Sequence, residues 1–147
     1  MLPQALDATA LSHAIQNAVV PVFLLTGIGA MLAVLANRLG RIVDFARVLE
    51  GRLSASSEKE RVDTHKQLTV LSSRARLIYA AISLSVLCAL LICTVIVLLF
   101  VEVFLSLKIP GLIGVLFIVA MLAFIVALIC FLREVYLATV TLRIGSH

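Results

Sequence analysis

The chain has 147 residues, 63% of them hydrophobic and only 14% charged, with a net charge of +4. A soluble domain carries about a quarter charged residues, so this composition excludes an ordinary water-soluble globule and calls for lipid around much of the surface. The basic excess does not point to nucleic acid, because nine of the twelve Lys and Arg residues fall between Arg38 and Arg76, beside apolar runs where basic flanks set membrane topology.

The charges are segregated. None occurs between Asp7 and Arg38, between Arg76 and Glu102, or between Lys108 and Arg133. Each gap exceeds the roughly 20 residues that a helix needs to cross a bilayer core. Three spans are therefore predicted, at about 17–37, 77–101 and 112–132 of one membrane domain, 1–147.

Residues 1–16 read as a short interfacial helix using Leu6, Leu11 and Ile15. They lack the basic start of a cleavable signal peptide, so the first span is expected to act as its own insertion signal. Pro21 is placed near the first turn of span 1, where a missing N–H costs least. The helical pattern continues past Arg38. Leu35, Leu39, Ile42, Ala46, Leu49 and Leu53 recur as an apolar stripe, while Arg38, Arg41, Asp44, Arg47 and Arg52 take other faces.

Gly51 to Ser57 breaks the pattern, and Ser57 with Glu60 matches a capping box that starts a second helix. That helix has its own stripe at Leu68, Leu71, Ala75, Ile78 and Ile82. Two stripes joined by a short turn predict an antiparallel hairpin over 38–76. The second helix then enters the bilayer as span 2. Lys108-Ile109-Pro110-Gly111 predicts a tight turn, span 3 follows, and Arg133-Glu134 marks its exit into a tail, 133–147. The expected fold is an all-α integral membrane protein with three transmembrane helices, spans 1 and 2 extending into a cytoplasmic antiparallel helical hairpin. The basic connection between spans 1 and 2 places the N-terminus outside and the C-terminus in the cytoplasm.

The segment from Ile15 to Glu50 carries a resemblance. It contains Ile15-Gln16-Asn17-Ala18 and the run Pro21-Val22-Phe23-Leu24-Leu25-Thr26-Gly27-Ile28. Asn37-Arg38-Leu39-Gly40-Arg41-Ile42-Val43-Asp44 follows, with Ala46-Arg47 and Leu49-Glu50 after it. The pattern is similar to an uncharacterised family of small bacterial inner-membrane proteins, domain of unknown function twenty-seven twenty-one. The likeness covers about residues 10–140. It implies a bacterial inner membrane and three spans, and it brings no activity.

Chemistry-bearing residues are sparse. His13, His65 and His147 are far apart, and no nucleophile triad, paired-histidine, phosphate-loop or dinucleotide motif occurs. The expectation is no enzyme, no catalytic residue, no metal and no cofactor. Cys88, Cys93 and Cys130 lie inside predicted spans and read as small packing residues. Stripes of small residues carry more information, because in lipid they let helices approach closely. Span 2 has Ala81, Ser85, Ala89 and Cys93, and span 3 has Ala120, Ala123, Ala127 and Cys130. Span 1 has Thr26, Ala30, Ala33, Asn37, Gly40, Asp44 and Arg47, a stripe that becomes polar toward its inner end.

A three-helix bundle would consume some of these faces and leave at least one for another copy, so a homo-oligomer is expected. The span 1 stripe has two readings. In one, Thr26 and Asn37 bond neighbouring backbone while Arg38, Arg41 and Arg47 meet lipid phosphates. In the other, the stripe is an oligomer face or the lining of an axis, with Asp44 partly neutralised by Arg41 and Arg47. Arg38, Arg41, Arg74 and Arg76 are candidate contacts to anionic lipid at the cytoplasmic face. Two functions follow: a pore or channel-like assembly with span 1 nearest the axis, or a non-conducting scaffold or accessory subunit whose hairpin docks a protein partner that the sequence leaves unidentified.

Overall fold

The computed structural model describes residues 2–144, and the side chains of residues 8–140. Leu6 of the expected interfacial segment and Arg143 of the tail lie outside the described side chains. The chain is all α, with α1 over Leu2–Leu53, α2 over Glu58–Leu105 and α3 over Pro110–Ile144. Each helix contains a stretch long and apolar enough to cross a membrane. In the most apolar windows of α1, α2 and α3 only 22%, 22% and 11% of residues are buried, so most of that apolar surface faces outward. Lipid is the solvent that suits it. This is a multi-pass membrane protein.

The expected start and stop chemistry is present between α1 and α2. The Ser57 backbone N–H donates to Glu60 Oε2 at 3.2 Å, the return half of the capping box. The Arg61 N–H reaches the Ser57 carbonyl at 3.0 Å, closing the first helical bond. At the end of α1, the Ser54 hydroxyl donates to the Gly51 carbonyl at 2.8 Å and occupies one of the orphaned acceptors. Gly51, read from sequence as the start of the break, is inside α1, because its neighbours keep the helical stripe running to Leu53.

Two further boundaries differ from expectation. The helix begins at Leu2, so Pro21 lies inside α1 rather than near its first turn. Its missing N–H leaves the Asn17 carbonyl without a helical donor, a cost of about 3 kcal/mol in a helix interior. Between α2 and α3 the turn is Ser106–Ile109, and Pro110 is the first residue of α3. A proline fits there because its N–H would be unpaired in any case. Ser106 takes φ of 53°, the left-handed conformation that ends a helix.

The helices divide into two compact units. One takes α1 up to Met31, α2 from Leu84 and α3 up to Ile125; the other takes α1 from Leu32, α2 up to Ser83 and α3 from Val126. The first buries Ala14, Ala18, Ile28, Ser85, Cys88, Ile92, Val95 and Ala120. The second buries Leu35, Ile42, Leu49, Leu71, Ile78, Ala81 and Ala127, together with one carboxylate, Glu134. Leu35, Ile42 and Leu49 of the first stripe and Leu71 and Ile78 of the second are among these buried residues, and the other stripe positions are half-buried.

On α1 the buried positions Ala14, Pro21, Ile28, Leu35, Ile42 and Leu49 recur every seven residues. A strict seven-residue period keeps one seam facing its neighbours through gentle left-handed supercoiling.

Candidate functional site

The seven-residue period also places the polar residues of the second unit. On α2 it runs through Arg74, Ala81, Cys88 and Val95, the last three buried. On α3 it runs through Ala120, Ala127 and Glu134, each with no exposed surface. Arg74 and Glu134 are thus the points at which two interior seams turn from apolar to charged. A buried carboxylate needs compensation by charge and hydrogen bonds, and Glu134 receives both.

Arg38 of α1 donates from Nη1 to Glu134 Oε2 at 2.6 Å. Arg74 of α2 donates from Nη2 to Oε1 at 3.0 Å and from Nε to the same oxygen at 3.3 Å. The Arg38 guanidinium carbon also lies 5.4 Å from the centre of the Phe131 ring, one turn earlier on α3. That is the geometry of a cation–π contact. One carboxylate therefore ties together three helices, and the clasp keeps a formal charge of +1 from two arginines and one glutamate. No buried side-chain N or O atom among the described residues lacks a partner. Charge-assisted hydrogen bonds of this kind are the strong ones.

A groove of about 1010 Å³ opens beside the clasp, within the same unit. Arg38, Arg74 and Glu134 line one part of it. Arg41, Asp44 and Lys66 bring further charge, and Phe45, Val48 and Val70 supply an apolar wall.

Among the sequence-derived candidates, Thr26, Ala30, Ala33, Asn37, Gly40, Asp44 and Arg47 are all exposed on α1. The Thr26 hydroxyl is turned back to the Val22 carbonyl at 3.3 Å. A Cβ added at Gly40 would meet nothing within 4 Å outside its own helix backbone. Asp44 departs from expectation: among the described residues both ion pairs converge on Glu134, and Asp44 pairs with neither Arg41 nor Arg47. Arg41 and Arg76 are exposed, whereas Arg38 and Arg74 are half-buried and engaged with Glu134.

Of the small residues on the other helices, Ala81, Ser85, Ala120 and Ala127 are wholly buried, Ala89, Ala123 and Cys130 are half-buried, and Cys93 is exposed. Glu134 is the residue that the sequence reading misses, because Arg133-Glu134 reads there only as the exit of span 3. A signal existed: the stripe Ala120, Ala123, Ala127, Cys130 reaches Glu134 at its next step of four.

A family model with the description "Protein of unknown function (DUF2721)" matches residues 18–144. No curated protein and no solved structure matches the chain.

Proposed function

From a chain that belongs to the DUF2721 family, we propose a homo-oligomeric membrane assembly, channel-like, with α1 nearest its axis. The observation that carries this reading is the exposure of the whole stripe from Thr26 to Arg47 on a single chain, while the small residues Ala81, Ser85, Ala120 and Ala127 are buried. In lipid, an exposed row of small residues that ends in an amide, Asn37, is costly, and a second copy of the same row relieves that cost. Asn37 would then form a polar ring, with Ala30 and Ala33 a narrow apolar neck above it that closes by dewetting. The chemistry is non-enzymatic and needs no cofactor or metal.

The charge pattern supports an orientation with the N-terminus outside and the hairpin in the cytoplasm, and the family resemblance implies a bacterial inner membrane. Arg41 and Arg76, exposed beside the apolar runs, suit contact with anionic lipid phosphates. Arg38 and Arg74 would contribute the residual charge of the clasp.

Two measurements test the reading. Ala33→Leu should break the oligomer in detergent mass measurements, whereas Val20→Leu, exposed on another face of α1, should leave it intact. Equal masses for both variants would refute the α1 interface. In planar bilayers, Ala33→Ser should raise conductance by hydrating the neck, and Asn37→Asp should shift selectivity toward cations. An intact oligomer that stays silent in both variants favours the second reading, a non-conducting scaffold or accessory subunit. The open groove on the hairpin supports that reading as a place for a partner to dock.

A further inference from the structure

The groove beside Glu134 combines a cluster of charges with an uncovered apolar wall. Its charged side chains are Arg38, Arg41, Lys66 and Arg74 against Asp44 and Glu134, four positive and two negative, a net charge of +2. Its apolar wall remains uncovered, with Phe45 and Val48 each 53% exposed and Val70 44% exposed. The wall lies on segments of α1 and α2 that carry the densest charge of the chain, so lipid tails do not account for it.

The arginines are preorganised. Arg38 spends one N–H on Glu134 and Arg74 spends two, out of five on each guanidinium. The remaining donors are held in place by the carboxylate and, for Arg38, by the ring of Phe131. Arg38 and Arg74, with side-chain exposures of 32% and 20%, both line the groove and remain within reach of a ligand. Rigid guanidinium forks with spare donors suit phosphate oxygens.

The volume of about 1010 Å³ far exceeds a single phosphate and lies at the upper end of small-molecule sites, about 300–1,000 Å³. Phe45 offers a ring face against which a flat body can pack.

We propose that this groove binds a small water-soluble phosphomonoester with a flat apolar body, of the nucleoside monophosphate class. The phosphate sits among Arg38, Arg41, Lys66 and Arg74, and the body lies against Phe45, Val48 and Val70. Every residue of the site comes from one chain, and Asp44 at its edge is shared with the α1 row proposed for self-association.

The test uses the full chain purified in detergent, titrated calorimetrically with adenosine monophosphate, phenyl phosphate and inorganic phosphate. Both organic phosphates should bind saturably, and inorganic phosphate at least about tenfold more weakly, because it has no body to bury. The double variant Arg41→Gln/Lys66→Gln should weaken binding of the organic phosphates by about tenfold or more while keeping the unliganded melting temperature. Arg61→Gln, exposed on α2 outside the groove, should bind as the unsubstituted protein does. Phe45→Ala should erase the preference for phenyl phosphate over inorganic phosphate. The proposal is overturned if neither organic phosphate binds saturably, or if the double variant binds both unchanged. It is also overturned if only phosphatidylglycerol in nanodiscs competes for Arg41 and Lys66, which would assign the groove to a lipid headgroup.

Discussion

The small residues of α1 recur at steps of three and four, as do those of α3, yet they end in opposite surroundings. Ala120 and Ala127 are wholly buried, and one more seven-residue step reaches Glu134, whose charge is answered inside the chain by Arg38 and Arg74. The α1 row of Thr26, Ala30, Ala33, Asn37 and Gly40 is exposed throughout, and Asp44 beyond it has no ion-pair partner among the described residues. The lesson is that a small-residue period marks a face able to pack closely but does not name its partner. Where the partner is part of the same chain, the polar end of the seam is already satisfied. Where it is not, the polar end is left pointing outward.

The sharpest way to break this comparison is to remove the charge that closes the α3 seam. Glu134→Ala strands two guanidinium groups in a half-buried site, and removal of one partner from a buried ion cluster costs about 3–5 kcal/mol. A large fall in the melting temperature of the detergent-solubilised protein is expected. Arg74→Ala, which loses two hydrogen bonds to the carboxylate, should cost more than a neutral surface change and should not be rescued by Lys, which lacks the planar fork. A melting temperature unchanged by Glu134→Ala would mean that the clasp contributes nothing to holding α3.

Next in size is overpacking. Ala127→Leu forces added volume into a site with no exposed surface and should destabilise by about 1–3 kcal/mol, read as a lower melting temperature of the single chain. Ala33→Leu makes the same chemical change on the exposed row. Its effect on the fold of one chain should be within about 0.5 kcal/mol, as for surface substitutions generally, with the consequence appearing in oligomer mass instead. If both variants lower the melting temperature of a monomeric preparation equally, the two seams are not different in kind.

The smallest expected effect concerns the turn between α2 and α3. Ser106→Gly relieves a left-handed backbone and should stabilise by about 1 kcal/mol or slightly less. Hydrogen exchange at the Ser106–Ile109 turn would read it, and it should leave both seams unaltered.

Much of this architecture was legible in the sequence because the relevant signals are local. The charge gaps located three apolar helices, and the stripe from Leu35 to Leu53 was read as the hairpin seam that the structure buries at Leu35, Ile42 and Leu49. Ser57 and Glu60 announced the start of α2 by a contact only three residues long. Pro21 lies deeper in α1 than expected for an equally local reason: the nearly uncharged first sixteen residues, nine of them hydrophobic, mark no clear boundary with span 1.

Helix number, helix faces and the turn between α1 and α2 were thus determined by the order of residues along the chain, since periods of three and four and a capping pair act over one or two turns. The tertiary structure alone decided which small-residue face stays open and that Glu134 is an interior group. Its partners stand 96 and 60 residues away in sequence, and nothing in a local period specifies a contact of that span. A glutamate at the end of an apolar run has the same sequence signature whether water or two arginines receive it. Burial raises the cost of leaving it unpaired, and only the packing of three helices around that position supplies both the burial and the pair.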